Sequence, residues 1–152
     1  MNDGLKKAWV DMVQPLISRP RLLQVAALCL RGKGDDLRVL MITSRGTGRW
    51  IIPKGWPIDG ISAHEAAMTE AWEEAGVKKG DVDPTPIGSF TYDKVMDSGA
   101  PAPVEAQVYV VRVEKIVDAY PEVDERKRKW MKPHKAAQLV AEPGLKAILL
   151  DL

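Results

Sequence analysis

IIPKGWPIDGISAHEAAMTEAWEEAGV, residues 51–77, is a loop broken by Pro53, Gly55, Pro57 and Gly60 that runs into a helix with a readable start and stop. Ser62 stands three residues before Glu65, the spacing of a capping box, and Gly76 supplies the usual stop. The pattern predicts a helix over Ala63 to Ala75. At about 100° per residue, Ala67, Met68, Ala71, Trp72 and Ala75 fall on one apolar arc, with Glu70, Glu73 and Glu74 together on the opposite side.

Three glutamates on the outside of an amphipathic helix are ordinarily solvated charge. Like charges three and four residues apart nevertheless repel by roughly 0.2 to 0.5 kcal/mol each, and anions in the last turn oppose the helix dipole by about 0.3 to 1 kcal/mol. The helix offers no lysine or arginine among them. A hard divalent cation would relieve the repulsion, and Mg²⁺ is held by a few carboxylates together with waters and substrate phosphates. Glycine at 55 would let a backbone carbonyl come close to that cation or to a phosphate.

These residues resemble the signature of the Nudix hydrolases: Gly, five residues, Glu, seven residues, Arg-Glu, an aliphatic, any residue, Glu-Glu, any residue, Gly, an aliphatic. Gly55, Glu70, Ala71, Glu73, Glu74, Gly76 and Val77 match at the required spacing, while Ile61 and Thr69 stand where the family has its loop Glu and its Arg. In the family those two side chains brace the loop against the helix and orient the carboxylates. The resemblance implies an α/β fold, the Nudix-type α/β/α sandwich with a mixed β-sheet, and Mg²⁺-dependent pyrophosphohydrolase activity with Mn²⁺ as the alternative metal. It makes Glu70, Glu73 and Glu74 the catalytic residues and, with the carbonyl of Gly55, the metal ligands.

The rest of the chain reads as scaffold and substrate surface. Its 152 residues are the size of one domain, with residues 1–20 an extension in which Leu5, Trp9, Met12 and Val13 could make a short helix. Charge nearly cancels, 22 basic against 21 acidic residues, which argues against a nucleic-acid coat or a membrane surface. No apolar stretch is long enough for a signal peptide or a membrane span. Cys29 is the single cysteine, so no internal disulfide forms, and a cytoplasmic protein is the default.

Strands are expected at Leu22 to Arg31, Leu37 to Ser44, Trp50 to Ile52, Ile87 to Tyr92, Val104 to Val113 and Lys127 to Met131, with helices from Pro133 to Val140 and Gly144 to Leu152.

Within the family, Thr43-Ser44-Arg45, Arg49-Trp50-Ile51-Ile52-Pro53, Glu73-Glu74-Ala75-Gly76-Val77 and Arg126-Lys127-Arg128-Lys129-Trp130-Met131 look like the diphosphoinositol polyphosphate phosphohydrolase branch. That branch is similar in fold and motif to dinucleoside polyphosphate hydrolases. Where it carries basic residues before its Tyr-Val-Tyr strand, this chain has Val104-Glu105-Ala106-Gln107, less welcoming to a fully phosphorylated inositol ring, so dinucleoside polyphosphates are the preferred reading.

Ser44, Arg45, Arg49, Lys54 and Lys127 are the candidate substrate contacts, the cations by charge-assisted hydrogen bonds to phosphate. On a strand, Arg126 and Arg128 would share one face and Lys127 and Lys129 the other, so a single pair can reach the cleft. Two separate basic groups, Arg45, Arg49 and Lys54 in one and Arg126 to Lys129 in the other, predict a preference for long polyphosphate chains. Glu105, Glu122 and Glu125 are candidates for a further ligand or the general base. His64 and His134 read as solvated helix-start residues, and Trp50 and Trp130 as core. Inositol pyrophosphates, nucleoside triphosphates, nucleotide sugars and capped RNA ends stay open as substrates, and a homo-oligomer stays open as the assembly. A nucleotide sensor that binds without hydrolysing is the reading from another class, suggested by Ile61 and Thr69.

Overall fold

The computed structural model describes residues 21–152; the short helix expected in 1–20 lies outside them. The run LLQVAALCLR forms β1 (Leu22–Arg31), apolar on both faces because both are covered. After a 3-10 turn at Gly34–Asp36 come β2 (Arg38–Thr43), β3 (Trp50–Ile51), β4 (Lys54–Gly55) and α1 (Ala63–Ala75). Then follow β5 (Val77–Val82), β6 (Gly88–Val95), β7 (Pro101–Ile116), β8 (Arg128–Met131), α2 (Pro133–Leu139) and α3 (Pro143–Leu150).

The strands make one sheet in the order β3-β2-β1-β7-β5, with β4 paired to β1, β6 to β7 and β8 to β2. β1 and β7 run parallel, from Leu22 opposite Val104 to Leu30 opposite Arg112, while the other pairings are antiparallel. The sheet is therefore mixed. Ala26, Leu28 and Leu30 point to the side covered by Ala136, Ala137, Leu145 and Leu149 of α2 and α3. Val25, Ala27 and Cys29 point to the side covered by Ala66, Ala67, Ala71 and Ala75 of α1. This is the α/β/α sandwich, and small residues on both surfaces let α1 lie close on the sheet. No described helix is long and apolar enough to cross a membrane.

Local signals place α1 as read: the Ser62 hydroxyl accepts from the Glu65 amide, and Gly76 ends the helix in the left-handed region at φ 72°. The buried arc is narrower and turned from the expected one. Met68 and Trp72 are only half-buried at its margin, and Glu74 is buried beside the alanines. Two strands went unread. β4 has only two residues, and β5 is the polar VKKGDV, which pairs with β7 alone and buries little. β7 is also longer than expected, running through Pro101 and Pro103 where only β6 flanks it, so their missing N–H groups cost no ladder bond.

The C-terminus of α1 is locked by Arg128, whose Nη1 donates to the carbonyls of Ala75 and Val117, both at 2.8 Å. A Cβ on Gly76 would come within 2.6 Å of that Nη1 and 2.7 Å of the Val117 carbonyl oxygen. Gly76→Ala should therefore cost more than the roughly 1 to 2 kcal/mol of left-handed strain alone. Denaturant unfolding checks it; a loss under about 0.5 kcal/mol would show that Arg128 gives way freely.

Candidate active site

The loop reaches the helix through backbone bonds. β4 pairs with β1, Lys54 opposite Ala26 and Gly55 opposite Val25, and the Ala27 amide donates to the Pro53 carbonyl at 2.9 Å. From that fixed position the Lys54 amide donates to Glu74 Oε1 at 2.9 Å. Gly55 is glycine for a steric reason: a Cβ there would stand 2.2 Å from Glu70 Oε1, so only a bare backbone lets that carboxylate lie against the loop. Together they form the floor of an open cleft of about 440 Å³.

Glu74 is not on a solvent face, since it is only 6% exposed. Its counter-ion comes from far along the chain: Arg126 Nη2 donates to Glu74 Oε2 at 2.8 Å and to Glu122 Oε1 at 3.1 Å, while Nη1 donates to the Thr43 carbonyl at 3.1 Å. Arg126 and Arg128 thus form the pair turned toward α1, but neither offers a loose charge to substrate. One is buried in an ion pair and the other caps a helix. Lys127 lies beside the cleft in a shallow groove with Thr43 and Asp124, not in the cleft itself. The second basic group expected to grip a long phosphate chain is therefore not assembled there.

Burial raises the Glu70 carboxyl to about 7, reinforced by Glu74, Glu73 and Glu122, with Arg126 working in the opposite direction. Glu74 is raised too, first by burial, against the pull of Arg126 and the Lys54 amide. Burial lowers the Lys54 ammonium to about 8, although Glu74 and Glu142 favour its charge; the ammonium lies 5.0 Å from the centre of the Tyr92 ring. Tyr92 donates its hydroxyl to the Gln24 side-chain carbonyl.

Whether these residues suit a divalent cation turns on donors and charge. The donors are hard oxygens, and Glu70 carries the mark of a carboxylate short of positive neighbours, so the set fits Mg²⁺ chemically. Among the described residues, no three ligating side chains converge into a ready cage. Both Glu74 oxygens are already engaged, by Lys54 and Arg126.

Of the residues singled out from sequence, Ser44, Arg45, Lys54, Gly55, Glu70 and Glu74 line the cleft. Glu73 is half-buried beside them, and its carbonyl accepts from the Glu122 amide at 3.0 Å. The Ser44 hydroxyl is engaged in its own turn, bonded to Thr47 Oγ1 at 2.6 Å and to the Arg49 amide at 3.0 Å. Arg49 points elsewhere, its Nη1 3.6 Å from Glu142 Oε1. Of the three further glutamates, Glu122 lines the cleft, Glu105 accepts from Ser89 and Glu125 pairs with Arg45. Trp50 and Trp130 pack on the two cores as read. Reasoning from sequence missed Trp56, Lys94 and Gln24, which complete the wall, and the pairing of Arg126 with Glu74. A tryptophan directly after Gly55, in a loop of prolines and glycines, was the one signal available for that wall.

A model of the NUDIX domain matches residues 20–152. The chain belongs to the Nudix family. It is 30% identical over 119 residues to Nudix hydrolase 16, mitochondrial, of Arabidopsis thaliana, covering 78% of this chain and 66% of that protein. It is equally identical, at 30% over 119 residues, to diphosphoinositol polyphosphate phosphohydrolase 3-beta of Bos taurus, covering 77% of this chain and 68% of that one. Against Nudix hydrolase 13, mitochondrial, of Arabidopsis thaliana the identity is 33% over 115 residues, 69% of this chain and 54% of the relative, so the chain spans about half to two thirds of such proteins. Among solved structures, the fold is shared with a C. elegans Ap4A hydrolase at 16% identity and a TM-score of 0.63, covering 86% of this chain and 95% of that one. It is also shared with the NUDIX domain of Shewanella oneidensis NrtR complexed with ADP ribose, at 17% identity and a TM-score of 0.58, covering 97% and 95%.

Both departures of this Nudix domain from the signature are accommodated locally. Ile61 is exposed, and the Thr69 hydroxyl donates back to the Glu65 carbonyl at 3.0 Å. The loop and the Glu74 carboxylate are held instead by the Lys54 amide and Arg126.

Two outcomes follow from this electrostatics. A carboxyl whose folded pKa is raised holds its proton longer when folded, so its ionisation opposes folding as pH climbs from its unfolded value to its folded one. With chelator present, stability should fall between pH 4.5 and about 7 through Glu70, and Glu70→Gln should flatten that slope in denaturant unfolding; an unchanged slope would assign it to other groups. Arg126→Met should cost about 3 to 5 kcal/mol, because it strands Glu74 and Glu122 without their cation, and a loss near zero would mean water reaches both carboxylates.

Proposed function

We propose that this Nudix domain hydrolyses a phosphoanhydride bond, with dinucleoside polyphosphates as the preferred substrates and Mg²⁺, or Mn²⁺ in its place, as the cofactor. The observation that carries the reading is Glu70. Its carboxylate lies against a glycine that a side chain would displace, at the floor of an open cleft, with its pKa raised by burial and by three neighbouring glutamates. Such an arrangement weakens the fold unless a cation joins it. Glu70 and the Gly55 carbonyl, with Glu73 and Glu74 next to them, are the residues that would hold the metal.

A bound Mg²⁺ supplies charge neutralisation on the phosphates and a lowered pKa for an attacking water. The chain's own residues supply the rest, since phosphoryl chemistry depends on positioning and charge. Glu122, held at Oε1 by Arg126, faces the cleft and is the carboxylate we assign as proton acceptor from the water. Arg45 pairs with Glu125 at 3.4 Å, but its side chain is 61% exposed, a pair weak enough for phosphate to displace. Lys54 keeps a half-buried cation beside the floor.

A second substrate reading, diphosphoinositol polyphosphates, is favoured by similarity to the bovine phosphohydrolase. A fully phosphorylated ring calls for many uncommitted cations, whereas Arg126 in this cleft is bound to two glutamates. A nucleotide sensor without turnover has no such support beyond Ile61 and Thr69.

The deciding experiment compares Glu70→Gln with the parent chain on diadenosine tetraphosphate, with Mg²⁺ and with chelator. Turnover should fall at least about 100-fold, the lower range for a positioned catalytic carboxyl, while the chelated variant melts no lower than the parent. Unchanged turnover sinks the assignment of Glu70, and a parent chain inactive on every pyrophosphate compound tried sinks the hydrolase.

A further inference from the structure

Trp56 is 40% exposed and belongs to neither hydrophobic core, yet it stands in the wall of the cleft directly after Gly55. A large aromatic left this open is a poor contributor to folding. It is held still all the same, because the preceding pair Lys54–Gly55 is hydrogen-bonded as a strand against β1. A rigid, exposed aromatic in a polar cleft is the form a stacking surface takes, since little freedom is lost when a flat ligand settles on it.

Lys94 of β6 completes the geometry. Its ammonium lies 6.0 Å from the centre of the Trp56 ring, it lines the same cleft, and it has no carboxylate partner among the described residues. A cation over an indole is weakly held at an exposed site and turns readily to a phosphate. Stacking surface, cation and carboxylate floor therefore adjoin one another, the sequence of chemistries that a base, its first phosphates and a scissile bridge would need.

Ile58 and Ile61, on the same loop, are also exposed but do not line the cleft. Of the exposed apolar side chains on this loop, only Trp56 lines the cleft.

We infer that Trp56 is the stacking platform for a nucleobase of the substrate, with Lys94 taking the phosphate next to it, and that the indole makes the site prefer nucleotides over base-free polyphosphates. A phosphorylated inositol ring presents no π-face and cannot stack on the indole as a base does. The inference rests on the reading of the cleft as a polyphosphate site, and its test is chosen to stand apart from turnover.

The experiment is calorimetric titration of the parent chain, Trp56→Ala and Trp56→Phe with ADP and, separately, with inorganic pyrophosphate, all with Mg²⁺. Stacking on an aromatic accounts for roughly 5- to 150-fold in affinity per base. Trp56→Ala should weaken ADP by a factor in that range and leave pyrophosphate within about twofold, and Trp56→Phe should recover most of the loss. Lys94→Ala should weaken both ligands. If Trp56→Ala weakens ADP and pyrophosphate equally, the indole supports the loop and is no platform; if ADP binding is unchanged or absent from the parent, the base does not sit there. Binding with the predicted pattern but without hydrolysis of any substrate would overturn the catalytic reading and keep this one.

Discussion

One guanidinium, Arg126, is buried between the carboxylates of Glu74 and Glu122 and against the Thr43 carbonyl, and the geometry of the cleft depends on it. Taking such groups out of water is costly, and the cost is met only when each donor and acceptor finds a partner. Here the partners come from the helix, the end of β2 and the long connection between β7 and β8. Glu74 in turn receives the Lys54 amide, which ties in the loop. Four separate pieces of chain are thereby referred to one charged centre. The apolar cores fix the layers, while this ion pair fixes the carboxylates within them.

Glu70 is the counterpart, a charge without a fixed partner. The fold brings it under Gly55 and beside three other glutamates, where its ionised form is disfavoured. A protein selected for stability alone would place a neutral residue there. Keeping the carboxylate is the kind of local conflict that marks a working site, where binding energy from a ligand compensates what folding does not.

How much of this could be read from the chain depended on how far apart the interacting residues lie. The ends of the helix from Ala63 to Ala75 were legible because its start and stop signals are local, and β1 was legible because Val25 to Leu30 is an unbroken apolar run. β5 was not, since an edge strand of lysines and aspartate carries no alternating pattern to find. The burial of Glu74 was not legible either: its period placed it opposite the alanines, and the arginine that lets it turn inward is 52 residues away in sequence. The parity of Arg126 to Lys129 was readable, but which side of it faces the helix follows from the docking of β8 on β2. For the same reason Lys127 was named as a substrate contact where Arg126 is the residue that lines the cleft. Trp56 was visible as an exposed aromatic only after the loop around it had been placed.

The parallel pairing of β1 with β7 also orders events during synthesis. Its first contact, Leu22 with Val104, closes a loop of roughly eighty residues, and non-local closure of that kind must occur before the contacts that reward it. The helix bearing the glutamates lies inside that loop and has no complete surface to rest on until β7 arrives. Arg126 emerges later still. A chain growing from a ribosome therefore carries its cluster of glutamates, for a time, with neither sheet nor guanidinium to receive it, and the carboxylates stay in water until both arrive.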